Sequence, residues 1–399
     1  MKKLFLSIYF VALCNLFVYA QTGWTAQTSG TTVGLYSVYF TNADTGYVIS
    51  GVDGTILKTT NAGVNWTVQT SGTTNGLYSV YFTDANTGYA VGDFGTIIKT
   101  SNAGTEWTIL TSGTTRPLHS VYFTDANTGY IVGNVGLILK TTNAGIDWTE
   151  QISGTTYFLK SVYFTDINTG YAIGEFGKIN KTSNAGISWT ELSSGTSYDL
   201  NSIFFTDANI GYAVGWVGVI LKTNNAGNSW TTLSSGTTIY LHSVYFTDED
   251  TGYAVGEVGT ILKTSNAGND WIAQTSGTTE GLYSVFFTDS NKGIAVGESG
   301  TILKTSDEAG VFIEEKLGLE LLFTVYPNPS NNKITIPNNK TINEEILISI
   351  LNINGEQVMC DQFQNQNLIE IDVSALTKGI YLLKIETKSG IEIKKLVIQ

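Results

Sequence analysis

Along residues 77–109 the apolar positions fall into four short runs divided by turn residues. Leu77-Tyr78-Ser79-Val80-Tyr81-Phe82 is rich in β-branched and aromatic residues and predicts a strand. Thr83-Asp84-Ala85-Asn86-Thr87-Gly88 reads as a turn, and Tyr89-Ala90-Val91-Gly92 as a second strand. Asp93-Phe94-Gly95 turns the chain back into a third strand, 96–100. After the turn Ser101-Asn102-Ala103-Gly104, Trp107-Thr108-Ile109 predicts a fourth. No window carries sustained helical periodicity.

The unit repeats. Trp24, Trp66, Trp107, Trp148, Trp189, Trp230 and Trp271 are spaced 42 residues apart once and 41 thereafter. The Ser-Val/Ile-x-Phe strand recurs at Ser37, Ser79, Ser120, Ser161, Ser202, Ser243 and Ser284, giving seven copies. Four short strands per repeat of this length predict an all-β fold, a seven-bladed β-propeller. The chain enters with a lone Trp24 strand and leaves the seventh unit at a degraded Gly310-Val311-Phe312. An open array would expose unpaired edges. The expectation is a ring in which the Trp24 strand completes the seventh blade.

Thr59-Thr60-Asn61-Ala62-Gly63-Val64-Asn65-Trp66 resembles the Asp-box, Ser/Thr-x-Asp-x-Gly-x-x-Trp, with Asn for Asp. Asn closes a side-chain-to-backbone turn, Gly supplies positive φ, and Trp pins the hairpin. The turn recurs at Asn102, Asn143, Asn184, Asn225 and Asn266, before Trp107, Trp148, Trp189, Trp230 and Trp271, with a disrupted copy at Asp307. Its presence in blade after blade predicts a structural role. Asp-boxes also occur in sialidases, which grip a carboxylate with three arginines; this chain has one, Arg116. The whole unit, Ser-Val-x-Phe, Gly-Tyr-Ala-Val-Gly, Gly-x-Ile-Leu-Lys-Thr and Asn-Ala-Gly-x-x-Trp, resembles the photosystem II stability and assembly factor propellers over 22–312. The resemblance implies a non-enzymatic binding scaffold. The arginine-rich patch of the photosynthetic members has no counterpart here, so the fold and scaffold role carry over and the photosynthetic role does not.

After Phe312 the character changes. Residues 313–322 read as a linker, and 323–399 as a small β-sandwich with strands at 333–336, 346–353, 368–373, 380–385 and 391–398 and a hairpin turn at Asn354-Gly355. Val325-Tyr326-Pro327-Asn328-Pro329, Leu351-Asn352-Ile353-Asn354-Gly355, the run from Gly379 through Tyr381 to Ile385, and the tail Lys394-Lys395-Leu396-Val397-Ile398 resemble the type A sorting domain of the type IX secretion system. That resemblance implies the secretion machinery as a partner, with release or attachment at the outer-membrane surface.

The N-terminus fits export. Lys2 and Lys3 precede an apolar stretch, then Tyr19-Ala20-Gln21, which predicts a signal peptide over 1–20 and a propeller from residue 21 to 312. The stretch is short for a membrane span, and nothing after it could cross a bilayer. The net charge is −13 and no basic run precedes the C-terminus, so nucleic acid is not an expected partner. Of two cysteines, Cys14 lies in the leader and Cys360 stands alone, excluding an internal disulfide or a cysteine zinc site. A monomer without cofactor or metal is expected.

Comparing the seven copies with one another locates the variation. The 1–2 and 3–4 turns barely change and share one face of the ring. The connection before strand 1, the residue after its Leu, and the 2–3 turn all vary, on the opposite face. Candidate ligand-binding residues there are Tyr36, Tyr78, His119, Lys160, Asn201, His242 and Tyr283, with Tyr157 and Trp216. Asp93, Glu175, Glu257 and Glu298 join them, and Asp53 occupies the blade 1 turn. Loop-borne polar and aromatic residues on a rigid ring suit a glycan or a basic protein patch. The competing reading is a glycan hydrolase using an acidic pair such as Glu175 and Glu257. The Asp84-Ala85-Asn86 turns lack the distal Glu of a calcium loop. His119 and His242 have no third zinc ligand in the pattern.

Overall fold

The structure, a computed structural model, describes residues 23–305, 323, 325–337, 345–352, 357–364, 366, 368–387 and 390–399. The expected leader and linker lie outside these residues. Each repeat forms an antiparallel meander. In blade 2, Leu77–Phe82 pairs with Gly88–Gly92, which pairs with Ile97–Thr100, which pairs with Thr108–Leu110. The second strand is buried along its whole length, and its alternation explains why. Ala90 packs with residues of blade 1, whereas Tyr89 and Val91 pack with residues of blade 3. Trp107 precedes its strand rather than belonging to it. It is buried edge-on against Phe82, while the strand that follows is mostly exposed.

Blades 1 to 6 span 35–69, 77–110, 118–151, 159–192, 200–233 and 241–274; blade 7 is built from three strands over 282–305 and from Trp24–Gln27. Trp24 pairs with Thr305 and Gln27 with Ile302, so the first strand completes the last blade. Trp24 is buried edge-on against Tyr253 and Phe287. The inner strands close the circle. At every joint the backbone N–H after the repeated serine of one strand's Ser-Val/Ile pair donates to the previous blade's serine, from Val80 to Ser37 Oγ round to Val38 and Ser284 Oγ.

The two invariant turns are held by side chains. Asp84 Oδ1 accepts the N–H groups of Asn86 and Thr87 at 2.7 and 2.8 Å. Asn102 Oδ1 accepts the Glu106 N–H, and Thr100 Oγ1 accepts that of Gly104. Ala103 (φ 55°) and Gly104 (φ 77°) complete this tight loop. The same loop latches the blades together. Tyr47 Oη and Lys58 Nζ both donate to the Ala103 carbonyl, at 2.8 and 2.7 Å. Tyr89 and Lys99 meet Ala144, Tyr130 and Lys140 meet Ala185, Tyr171 and Lys181 meet Ala226, and Tyr212 and Lys222 meet Ala267. At the joint of blades 7 and 1, Ile294 replaces the tyrosine. There a small gap opens, lined by Phe40, Ala62, Ile294 and Lys304 among others.

The C-terminal unit is a second, separate β-structure. One sheet runs Gln357–Gln364, Glu345–Leu351, Gly379–Thr387, Gly390–Ile398; the other pairs Lys333–Pro337 with Leu368–Asp372. Ile334, Ile336, Ile369 and Ile371 from the small sheet pack with Ile346, Ile348, Ile350, Leu383 and Leu396 from the large one. Gln357–Gln364 is a strand absent from the sequence expectation. It lies at a sheet edge and is largely exposed, so it has no apolar alternation to read. The turn at Asn354-Gly355 lies outside the described residues. Asn328 joins the sorting-motif segments: its Nδ2 donates to the Lys395 carbonyl at 2.6 Å and its Oδ1 accepts the Val397 N–H at 2.9 Å. It stands between Pro327 and Pro329, which are exposed, as is Lys395; Lys394 is half-buried. Tyr381 is buried, its hydroxyl donating to the Thr377 carbonyl, and Gly379 begins its strand opposite Ile398.

Candidate functional site

Antiparallel strands put alternate connections at opposite ends, and hydrogen bonds tie each pair. Ala103 N–H donates to the Asn86 carbonyl, joining the invariant 3–4 and 1–2 turns. Asp93 N–H donates to the Gly76 carbonyl, joining the variable 2–3 turn to the connection before strand 1. The same variable-side bond recurs in the other blades, from Gly51 and Gly34 to Glu298 and Gly281. The variable residues are therefore neighbours.

The residue after each inner-strand Leu is half-buried at this end. Four of them reach the first residue of their own 2–3 turn. Tyr78 Oη donates to Asp93 at 2.8 Å and Tyr283 Oη to Glu298 at 2.7 Å. His119 Nε2 bonds to Asn134 at 2.6 Å and His242 Nε2 to Glu257 at 2.7 Å. Burial and then the carboxylate bond raise the Tyr78 and Tyr283 phenols well above their ordinary range. Burial holds His119 below the usual histidine value. The Tyr283 hydroxyl and the Gly281 N–H lower the Glu298 carboxyl.

The rings form an arc. His242 meets Tyr283 at 5.2 Å, Tyr283 meets Tyr36 at 4.5 Å, Tyr36 meets Tyr78 at 5.6 Å, and Tyr78 meets His119 at 5.6 Å. Tyr36 differs from its neighbours. The extra residue of the 42-residue spacing falls in the blade 1 turn, Ser50-Gly51-Val52-Asp53-Gly54. Asp53 there accepts the Thr55 N–H and does not meet Tyr36. The Tyr36 ring lies instead against Gly51, where an added Cβ would stand 2.6 Å from it. Among the described residues the Tyr36 hydroxyl has no partner.

On blades 4 and 5 of this variable end, the mouth of the ring, Lys160 Nζ donates to Asp199 at 2.9 Å and Asn201 at 3.1 Å and lies 5.3 Å from the Trp216 ring centre. Asn201 Nδ2 donates to the Leu241 carbonyl. Trp216 stacks on Tyr240 at 5.0 Å, and Tyr157 meets Phe176 at 4.9 Å; all four are exposed. Glu175 accepts the Phe158 N–H. It sits on blade 4 and Glu257 on blade 6, so a whole blade divides the suggested acidic pair. Glu257 has a nearer partner: its Oε2 and the Glu298 carboxyl carbon stand 2.8 and 3.3 Å from where a Cβ on Gly281 would be. Glu298 is held ionised, the reverse of what a general acid needs. Among the described residues no three His, Cys, Asp or Glu side chains form a metal-ligand cluster.

Sequence reasoning left out Phe94, Val135, Phe176, Val217 and Val258. These apolar residues hold positive φ in the 2–3 turns, and all but Val217 are strongly exposed. Bulky or branched side chains are unfavourable there. Their signal was the position just before the turn glycine. Asn134 and Asp199 fall at variable positions of the 2–3 turn and of the connection before strand 1 but were not among the candidates; the constant separation of 15 residues between Tyr78 and Asp93, or His242 and Glu257, points to the first.

The secretion system C-terminal sorting domain family matches residues 324–399. The family of the photosynthesis system II assembly factor YCF48 matches 17–110, 65–156 and 232–306. Among solved structures, YCF48 bound to D1 peptide is 18% identical with a TM-score of 0.63, covering 73% of this chain and 97% of that one. YCF48 from Cyanidioschyzon merolae is 19% identical with a TM-score of 0.61, covering 71% and 98%. At these identities the likeness is one of fold. No curated protein sequence matches the chain. Among the described residues no helix is long and apolar enough to cross a membrane.

Proposed function

Since the chain belongs to the photosynthesis system II assembly factor YCF48 family and ends in a secretion system sorting domain, we propose that it is an exported, non-enzymatic scaffold holding a polypeptide ligand at the variable end of its ring. The observation that carries this reading is the contrast between the two faces. One is held by the same turn in nearly every blade; the other gathers tyrosines, histidines, carboxylates and exposed aromatics that differ from blade to blade. Rigid rings with varied loops make binding surfaces. A solved family structure is of a peptide complex, which supports a peptide over a small metabolite. The hydrolase alternative loses support because a whole blade divides Glu175 from Glu257, and Glu298, the acid that adjoins Glu257, is held ionised. The sorting domain supports a role outside the cell, either released or at the surface.

The test uses the full chain against a displayed random-peptide library and a glycan array. The expected result is peptide enrichment that is lost with Tyr36→Ala plus Trp216→Ala and kept with Asn86→Ala on the uniform face. Glycan turnover, or peptide binding lost only on the uniform face, would overturn the proposal.

A further inference from the structure

The exposed aromatic surface of the mouth has a marked charge bias, and that bias selects its occupant. Asp93, Asp199, Glu175, Glu257 and Glu298 all take part in the bonds that build the mouth. The ammonium of Lys160 is already held by Asp199, Asn201 and the Trp216 ring, so it is not available to an incoming anion. Arg116 is turned to Glu150 on the outer strand of its blade.

Blades 7, 1 and 2 share a further property. Each has glycine just before its inner strand, Gly281, Gly34 and Gly76, where blades 3 to 6 have Pro117, Phe158, Asp199 and Tyr240. A Cβ on Gly76 would lie 3.0 Å from Asp93 Oδ2, and one on Gly281 would crowd Glu257. No side chain from these positions stands over the carboxylates, which are half-buried, although the Gly51 carbonyl lies close beside Gly76. Between them stands Tyr36, the member of the tyrosine trio with a free hydroxyl. Its neighbours Tyr283 and Tyr78 each hold a carboxyl partner, Glu298 on one side and Asp93 on the other.

We infer that the mouth takes a lysine or arginine side chain of an extended polypeptide, its cationic group seated against the Tyr36 ring between Glu298 and Asp93. This rests on the proposed peptide-binding role and names its chemistry. Aromatic rings attract a cation through their electron-rich faces, and flanking carboxylates add long-range attraction. Tyr36 Oη accepts one N–H of the bound group. A polypeptide fits better than a small amine because exposed Trp216, Tyr240, Tyr157 and Phe176 continue the surface over blades 4 to 6, beyond a single cation's reach. A sugar fits less well, since the Trp216 indole is already engaged by Tyr240 and Lys160.

The experiment measures binding of the full chain to a fluorescent Gly/Ser peptide carrying a Lys-Phe pair, its Arg-Phe and Glu-Phe twins, and spermine, in low and high salt. The Lys and Arg peptides should bind at least about tenfold tighter than the Glu twin, and weaken as salt screens the carboxylates. Asp93→Asn with Glu298→Gln should remove about tenfold or more of that preference, and Tyr36→Ala a similar amount. Tyr36→Phe should lose less, because the ring remains. Spermine should bind more weakly than the peptides. If the Glu twin binds equally well and Tyr36→Ala still abolishes it, the cation assignment fails while the peptide-binding mouth stands. If no peptide responds to Tyr36→Ala or Trp216→Ala, both fail. Spermine binding tighter than either peptide also overturns the polypeptide assignment.

Discussion

Replacing Ile294 with tyrosine should strengthen the ring at the joint where blade 7 meets blade 1. At five other joints a tyrosine hydroxyl and a lysine ammonium converge on one alanine carbonyl of the next blade. In those blades the lysine also lies 5.3–5.6 Å from the tyrosine ring centre. Ile294 supplies no hydroxyl, and among the described residues no side chain donates to the Ala62 carbonyl. The restored phenol adds a neutral hydrogen bond of about 1 kcal/mol. Recruiting Lys304 adds about 0.5–1 kcal/mol, discounted because the ammonium is only half-buried. The ring also fills the gap beside Ala62. The sum is about 2 kcal/mol, a rise of several degrees in the propeller's thermal midpoint. Calorimetry of the full chain reads it. Ile294→Phe should give only the filling part, and Lys304→Ala should remove the lysine part from the tyrosine variant. A midpoint that stays put or falls with Ile294→Tyr would refute the account of the latch.

Asn180 is buried at a position held by Leu57, Ile98, Leu139, Leu221, Leu262 and Leu303 elsewhere, and its Oδ1 has no partner. Asn180→Leu should stabilise by about 1–2 kcal/mol despite losing the bond to the Ser153 carbonyl, which a urea titration would show. Backbone N–H bonds, first from Asn86 at Asp84 and from Asn291 at Asp289, hold those carboxyls below their ordinary range. A depressed folded value gives stability that is present above the unfolded carboxyl range and lost as the pH falls through the folded one, so the propeller should weaken below about pH 4. Asp84→Asn should flatten that loss, as Asn42 already does in blade 1. Asn328→Ala should free the C-terminal tail: amide exchange at Val397 should quicken about tenfold or more, and a larger share of the chain should stay unexported.

Much of the fold was legible because identical sequence makes identical structure. The tryptophan period, the Asn-Ala-Gly turns and the serine strands each mark one place in a blade, and closure by Trp24 followed from counting strands. The strand at 357–364 was not legible, since an exposed edge needs no hydrophobic alternation. The mouth was legible as a set of positions but not as contacts. The 42-residue spacing is visible in the chain, yet it says nothing about Tyr36 until Tyr78 is seen bonded to Asp93. The stacking of Tyr240 on Trp216 likewise joins residues on two connections whose facing is decided by the ring, not by local sequence.

Closure by the first strand also acts as a test of completeness. A chain cut short before residue 302 has nothing for Trp24–Gln27 to pair with, and its leading tryptophan stays open to solvent. Only a chain that reaches residues 302–305 can pair its first propeller strand. A molecule truncated earlier leaves that strand as an unpaired edge, open to pairing with another chain.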